Sequence, residues 1–143
     1  MAIPEPARQV IDSGRLAHYV TLNANGSPQM SCVWVCCDGD DIVMAHLREH
    51  QKVKNVRRDA RVSLSIETEN VNAQGLTEYL VVHGRARIEE GGAAELLQRL
   101  AYIYIGPDVG RFPPDDAPPP AGYITRITPV RFSGVGPWAG TKA

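Results

Sequence analysis

The chain contains no apolar run of the roughly 18 residues that a membrane-spanning helix requires, and its opening residues, MAIPEPARQV, hold no apolar signal-peptide core. A soluble, cytoplasmic protein without a membrane partner is expected. An excess of either charge is also missing: fifteen Lys and Arg oppose sixteen Asp and Glu, for a formal net charge of -1. No global field draws such a chain to nucleic acid or anionic lipid, so any anion it binds is bound locally. Cysteine is scarce, and Cys32, Cys36 and Cys37 fall within six residues. An odd count at that spacing makes no disulfide framework and a poor tetrahedral metal set, so buried free thiols and no metal site are expected.

Short catalytic signatures are lacking too. There is no GxGxxG or GxxxxGK[ST], which argues against a Rossmann dinucleotide site and a Walker A loop. There is no HExxH or CxxC metal spacing, and no GxSxG elbow. His18, His46, His50 and His83 are scattered, with no nucleophile or carboxylate at a telling spacing, so each reads first as structural or solvated.

What is present is a sequence of 143 residues, 43% hydrophobic, enough for one domain over 1–143 with a sizeable core. Residues 1–14 include EPARQVIDS, a short opening helix that stops at Gly14. RLAHYVTL, QMSCVWVCC and IVMAHL follow as strands, divided by NANGSP and DGDD, whose Gly and Asn suit tight hairpin turns. QMSCVWVCC does not alternate apolar with polar, which predicts a central strand covered on both faces. Residues 50–59 carry Val53 and Val56 with Ala60 beyond, the stripe of a short surface helix. ARVSLSIE returns to strand. In YLVVHGRARIEE, Val82, Gly84, Ala86 and Ile88 face one way and Val81, His83, Arg85 and Arg87 the other.

AAELLQRLAYIY, residues 93–104, is an amphipathic helix; residues 107–121 form a proline-rich connection. GYITRIT and VRFSGVG read as two strands split at Pro129, before the tail 137–143. The fold class is therefore mainly β: a six- to seven-stranded antiparallel barrel with about three short helices and no βαβ alternation.

The stretch HQKVKNVRRDAR, residues 50–61, concentrates six basic-type side chains. Its helix begins without Ser, Thr, Asp or Asn, so its first N–H groups lack an obvious cap. Arg48, His50 and Lys52 also place cations at the positive end of the helix dipole, where an anion belongs. A phosphate bound there reverses both penalties. A solvated basic face is the competing reading, and it suits Lys54, Arg57, Arg58 and Arg61, which lie past the first turn. Nucleic acid is disfavoured because no aromatic platform accompanies the run.

NANGSPQMSCVWV, KVKNVRRDARVSLS and VVHGRARI, in that order, followed by an ITP-x-R strand, resemble the pyridoxamine 5'-phosphate oxidase-like split β-barrel superfamily. Within it the chain is most similar to the deazaflavin (F420)-dependent oxidoreductases of actinobacteria, over residues 15 to 136. The resemblance implies a homodimer with a coenzyme site in a groove between subunits. It implies that Lys52 holds the coenzyme phosphate at the start of the helix with Gln51, and that His50 stands where relatives usually carry Arg. Gln29, Ser31 and Val33, with Ala45 and His46 on the next strand, are implied to lie against the ring. Trp34, on the opposite face, reads as core or dimer packing; Trp138 either covers a neighbouring subunit's site or anchors the C-terminus.

The implied activity is that of an oxidoreductase using reduced F420 to transfer a hydride to a small unsaturated or quinone-like acceptor. An FMN-dependent oxidase or reductase of the same fold and a non-catalytic coenzyme carrier are the alternatives. No catalytic residue is assigned, and His46 and water are both open as proton donors. The resemblance implies a C-terminal substrate-binding segment in true pyridoxamine phosphate oxidases; only GVGPWAGTKA follows the last strand here, so vitamin B6 is not expected as substrate.

Overall fold

The computed structural model describes residues 1–143. It runs α1 (Glu5–Ile11), β1 (Ala17–Leu22), β2 (Pro28–Val33), β3 (Cys36–Asp38), β4 (Asp41–His46), α2 (Gln51–Arg58), β5 (Arg61–Val71), β6 (Thr77–Glu90), α3 (Ala93–Tyr104) and β7 (Tyr123–Val135). The seven strands form one antiparallel sheet in the order β2-β1-β5-β6-β7-β4-β3. Its two edge strands, β2 and β3, are consecutive in the chain and separated only by Trp34 and Val35. Three Cα steps span at most about 11 Å, so the sheet must curl until its edges meet. No ladder joins them, which leaves a barrel split along one seam.

The alternation predicted for β6 holds. Leu80, Val82 and Ala86 are buried, with Tyr19, Leu64, Ile66, Ile42, Met44, Ile127 and Phe132 in the same core. Each such large side chain contributes roughly 1.5–3 kcal/mol on burial, which makes this interior the main source of stability. At Gly84 a Cβ would sit 2.7 Å from both Ile127 Cγ2 and Thr128 O. Only glycine admits that approach of β7 to β6.

Two strand expectations need correction, and of the three thiols expected to be buried only Cys36 is, with Cys32 exposed. Residues 29–37 are not one central strand: β2 is an edge strand with Met30 and Cys32 exposed, and the chain leaves it at Trp34 to start β3 on the opposite edge. The continuous apolar character arises because Val33, Val35 and Cys36 fill cores while Met30 and Cys32 do not. Nor do two strands divide at Pro129. β7 runs through it, because a register shift at His83/Gly84 pairs Gly84 with Pro129 and His83 with Arg131. That bulge absorbs a residue with no N–H to donate.

Candidate functional site

A cleft of about 450 Å³ opens at the barrel seam. Cys32, Val33 and Trp34 contribute to it from the end of β2 and the link to β3, Met44, Ala45 and His46 from β4, and Leu97 and Leu100 from α3. Leu47, Arg48, His50 and Lys52, where β4 passes into α2, complete the wall. The cleft is thus apolar over most of its surface and cationic at one end.

The cationic end is the start of α2. His50 is the N-cap residue, extended at φ -66° and ψ 168°, and makes no capping hydrogen bond through its side chain. Val53 and Lys54 N–H both donate to His50 O, at 3.0 and 3.2 Å. The N–H groups of Gln51 and Lys52 have no acceptor in the chain, and the first turn contains no acidic residue. The Gln51 side chain turns away to donate from Nε2 to Asn55 Oδ1 at 2.8 Å. Burial lowers the pKa of half-buried Lys52, with no carboxylate to offset it. Burial, then Lys52 and Arg48, hold His50 below its ordinary value, so this imidazole is neutral at pH 7. Two free amides and converging cations without a counter-anion are what a phosphate requires.

His46 lies deeper. It is 4% exposed, and its Nε2 sits 2.8 Å from Oγ1 of buried Thr125. Burial first, then Lys52 and His50, push its pKa down to about 3. His46 is therefore neutral at physiological pH and has no imidazolium proton to give. Its Nδ1 makes no hydrogen bond within the chain, and the residue lines the cleft.

Asn55 fixes the position of α2. Fully buried, it donates from Nδ2 to Thr21 Oγ1 at 3.0 Å and to Asn23 Oδ1 at 2.9 Å, and it accepts from Gln51 and Arg58. Val53 and Val56 pack beneath the helix. At the far side of the β4 end, Gly122 adopts φ +65°, and a Cβ there would lie 2.6 Å from that of Ala93. Glycine lets this connection close tightly over His46 O.

The structure brings Val33, Ala45, His46, His50 and Lys52 together in the cleft, with Gln51 contributing its backbone amide. Gln29 and Ser31 do not line it. They pair with Thr21 and Tyr19 in the β1–β2 ladder and share the inward face of those residues, and Ser31 Oγ is buried without a partner. Trp138 also lies apart: it is 2% exposed in the main core, beside the Pro6 to Ser13 region, and is a C-terminal anchor. Besides the apolar Met44, Leu47, Leu97 and Leu100, two contributors went unassigned in the sequence and a third, Arg48, was read there only as a cation at the helix start. Trp34 and Cys32 reach the cleft because the strand breaks at the seam, and Arg48 points into it from the end of β4. Asn55, the latch beneath the site, sits among basic residues where an Asn looks unremarkable by pattern alone. No cluster of three or more His, Cys, Asp or Glu gathers as a metal site. No helix is long and apolar enough to cross a membrane.

Comparison with solved structures finds the same fold repeatedly. An F420 reductase superposes with TM-score 0.71 at 24% identity, over 92% of this chain and 98% of that one. The conserved hypothetical protein Rv2991 from Mycobacterium tuberculosis gives TM-score 0.69 at 22% identity, covering 94% and 85% of the two chains. An FMN-binding protein from Syntrophomonas wolfei subsp. wolfei gives 0.67 at 11% identity, covering 92% and 85%. No curated protein matches in sequence. The family model described as pyridoxamine 5'-phosphate oxidase matches residues 3–135, and with its seven-stranded split barrel the chain belongs to that family.

Proposed function

We propose that the seam cleft binds a flavin-type coenzyme, F420 in the first instance and FMN as the alternative, and that the protein is an oxidoreductase acting on a small unsaturated or quinone-like acceptor. The observation that carries this is the start of α2: two unpartnered N–H groups beside Arg48, His50 and Lys52, with no acid in the turn, at one end of an otherwise apolar cleft. Lys52 and the amides of Gln51 and Lys52 hold the phosphate, and Arg48 adds charge. Val33, Met44 and Ala45 line the space for a planar ring, with His46 beside them. Reduced F420, when bound, carries the hydride; the chain provides orientation, charge and dry walls. The similarity in fold to an F420 reductase supports the first coenzyme, and that to an FMN-binding protein supports the second.

A second copy of the chain completes the groove in this reading. The outer face of β2, β1, β5 and β6 presents exposed Met30 with Val20 and Val81 around a shallow depression, an apolar surface suited to a homodimer. Light scattering on the purified protein is expected to give twice the 15.6 kDa chain mass.

The test is calorimetric titration with F420 and with FMN, followed by oxidation of the reduced coenzyme with a panel of acceptors. Tight F420 binding with turnover is expected. Binding without turnover identifies a carrier, and FMN binding with no F420 binding selects the alternative.

A further inference from the structure

The cleft has a second end that coenzyme anchoring does not use. There Trp34, between the two edges of the barrel, presents part of its ring beside Val33, Leu97 and Leu100. The indole stacks on Tyr104 with centroids 5.3 Å apart and planes 12° from parallel, and Phe112 tilts against it at 5.4 Å. Its N–H makes no hydrogen bond within the chain, and the residue is only partly buried.

This wall is fixed in place from behind. Tyr104 O–H donates to Arg15 O at 2.8 Å and accepts from Val35 N–H at 3.0 Å, tying the stack to the backbone next to Trp34 itself. Phe112 is held through Gln98, which accepts from Phe112 N–H at 2.8 Å and donates to Gly110 O at 2.6 Å. A partly buried indole that is already immobilised costs little ordering entropy when a flat ligand stacks on what it leaves exposed. The lining residues beside Trp34 in the chain and on α3, Val33, Leu97 and Leu100, carry no charge, so an anion stacked there would lose hydration without a counter-charge from them.

Resting on the coenzyme reading above, we propose that Trp34 is the acceptor-recognition residue of the cleft. It takes a planar, uncharged conjugated carbonyl compound by stacking, with its free indole N–H donating to the carbonyl oxygen. The chain has two tryptophans, and Trp138 is 2% exposed in the core, so fluorescence quenching by a ligand in the cleft reports on Trp34.

The experiment titrates the protein, without coenzyme but with the anion site at the start of α2 filled by excess inorganic phosphate, with menadione as a neutral planar probe and with an anionic naphthoquinone sulfonate as its charged counterpart. Saturable quenching by menadione, at least tenfold tighter than by the sulfonate, is expected. Calorimetry on folded Trp34→Leu is expected to show menadione affinity about tenfold weaker, with Trp34→Phe restoring most of the loss. With turnover, acceptor KM rises in Trp34→Leu while kcat holds. Unchanged menadione affinity in folded Trp34→Leu, or equal binding of the sulfonate, overturns the proposal. Failure of F420 and FMN to bind the wild type overturns the coenzyme reading instead and leaves the menadione result to stand or fall by itself.

Discussion

The two ends of α2 carry the same sign of charge in different surroundings. At the N-terminal end, Arg48, His50 and Lys52 face a cleft with two unpartnered amides and no carboxylate. At the C-terminal end every arginine is engaged. Arg57 pairs with Glu49 at 3.2 Å and Glu90 at 3.4 Å and lies over the Tyr123 ring, Arg58 donates to Leu22 O, and Arg61 pairs with Asp59 at 2.7 Å. Cations at a helix C-terminus are favoured by the dipole and those at its N-terminus are not. One end of the run is thus neutralised by the chain itself, and the other is left for a ligand.

The largest expected effect comes from removing what holds both ends in place. Asn55→Ala leaves Thr21 and Asn23 without their donor inside the fold and is expected to cost about 3 kcal/mol, read from urea unfolding. Should stability hardly change, α2 is positioned by Val53 and Val56 alone. Lys52→Ala is next: coenzyme affinity is expected to fall at least about tenfold by calorimetry with an unaltered unfolding midpoint. An unchanged affinity would move the anchor elsewhere and erase the distinction between the two ends.

His50 offers a finer comparison. Its pKa lies below the ordinary 6.5, so positive charge arrives only as pH falls beneath that value. Binding of the coenzyme phosphate is expected to tighten about threefold between pH 7.5 and pH 5.5, and a bound phosphate strengthens this by favouring the protonated ring. His50→Arg, charged throughout, is expected to bind about threefold tighter at pH 7.5 and to lose most of the pH dependence. A variant as pH-dependent as the wild type would show that another group titrates. The smallest effect belongs to the far end. Arg57→Ala gives up half-exposed ion pairs worth about 0.5 kcal/mol, and coenzyme affinity is expected to stay the same. A loss of affinity there would mean that the ligand extends along the whole helix.

Much of this was legible from residue order. The alternation of Val82, Gly84 and Ala86 set the inward face of β6, and the missing cap at residue 50 marked the free end of α2. Reading MSCVWV as a buried central strand failed, because hydrophobicity alone does not distinguish a strand covered on two faces from an edge strand that leads into a crossing. The same ambiguity hid Trp34, whose place in the cleft depends on where β2 stops. Gln29 and Ser31 had the right strand and the inward face, but they lie too far back from the seam to reach the cleft.

By itself the sequence determined most of the strands, the turns and the uncapped basic helix start, since these follow from periodicity, glycine chemistry and capping within a few residues. Tertiary structure decided where the two edges of the sheet meet, and therefore which side chains share a cleft. Closure of the barrel depends on long-range strand order, and a two-residue link between edge strands has no local signature.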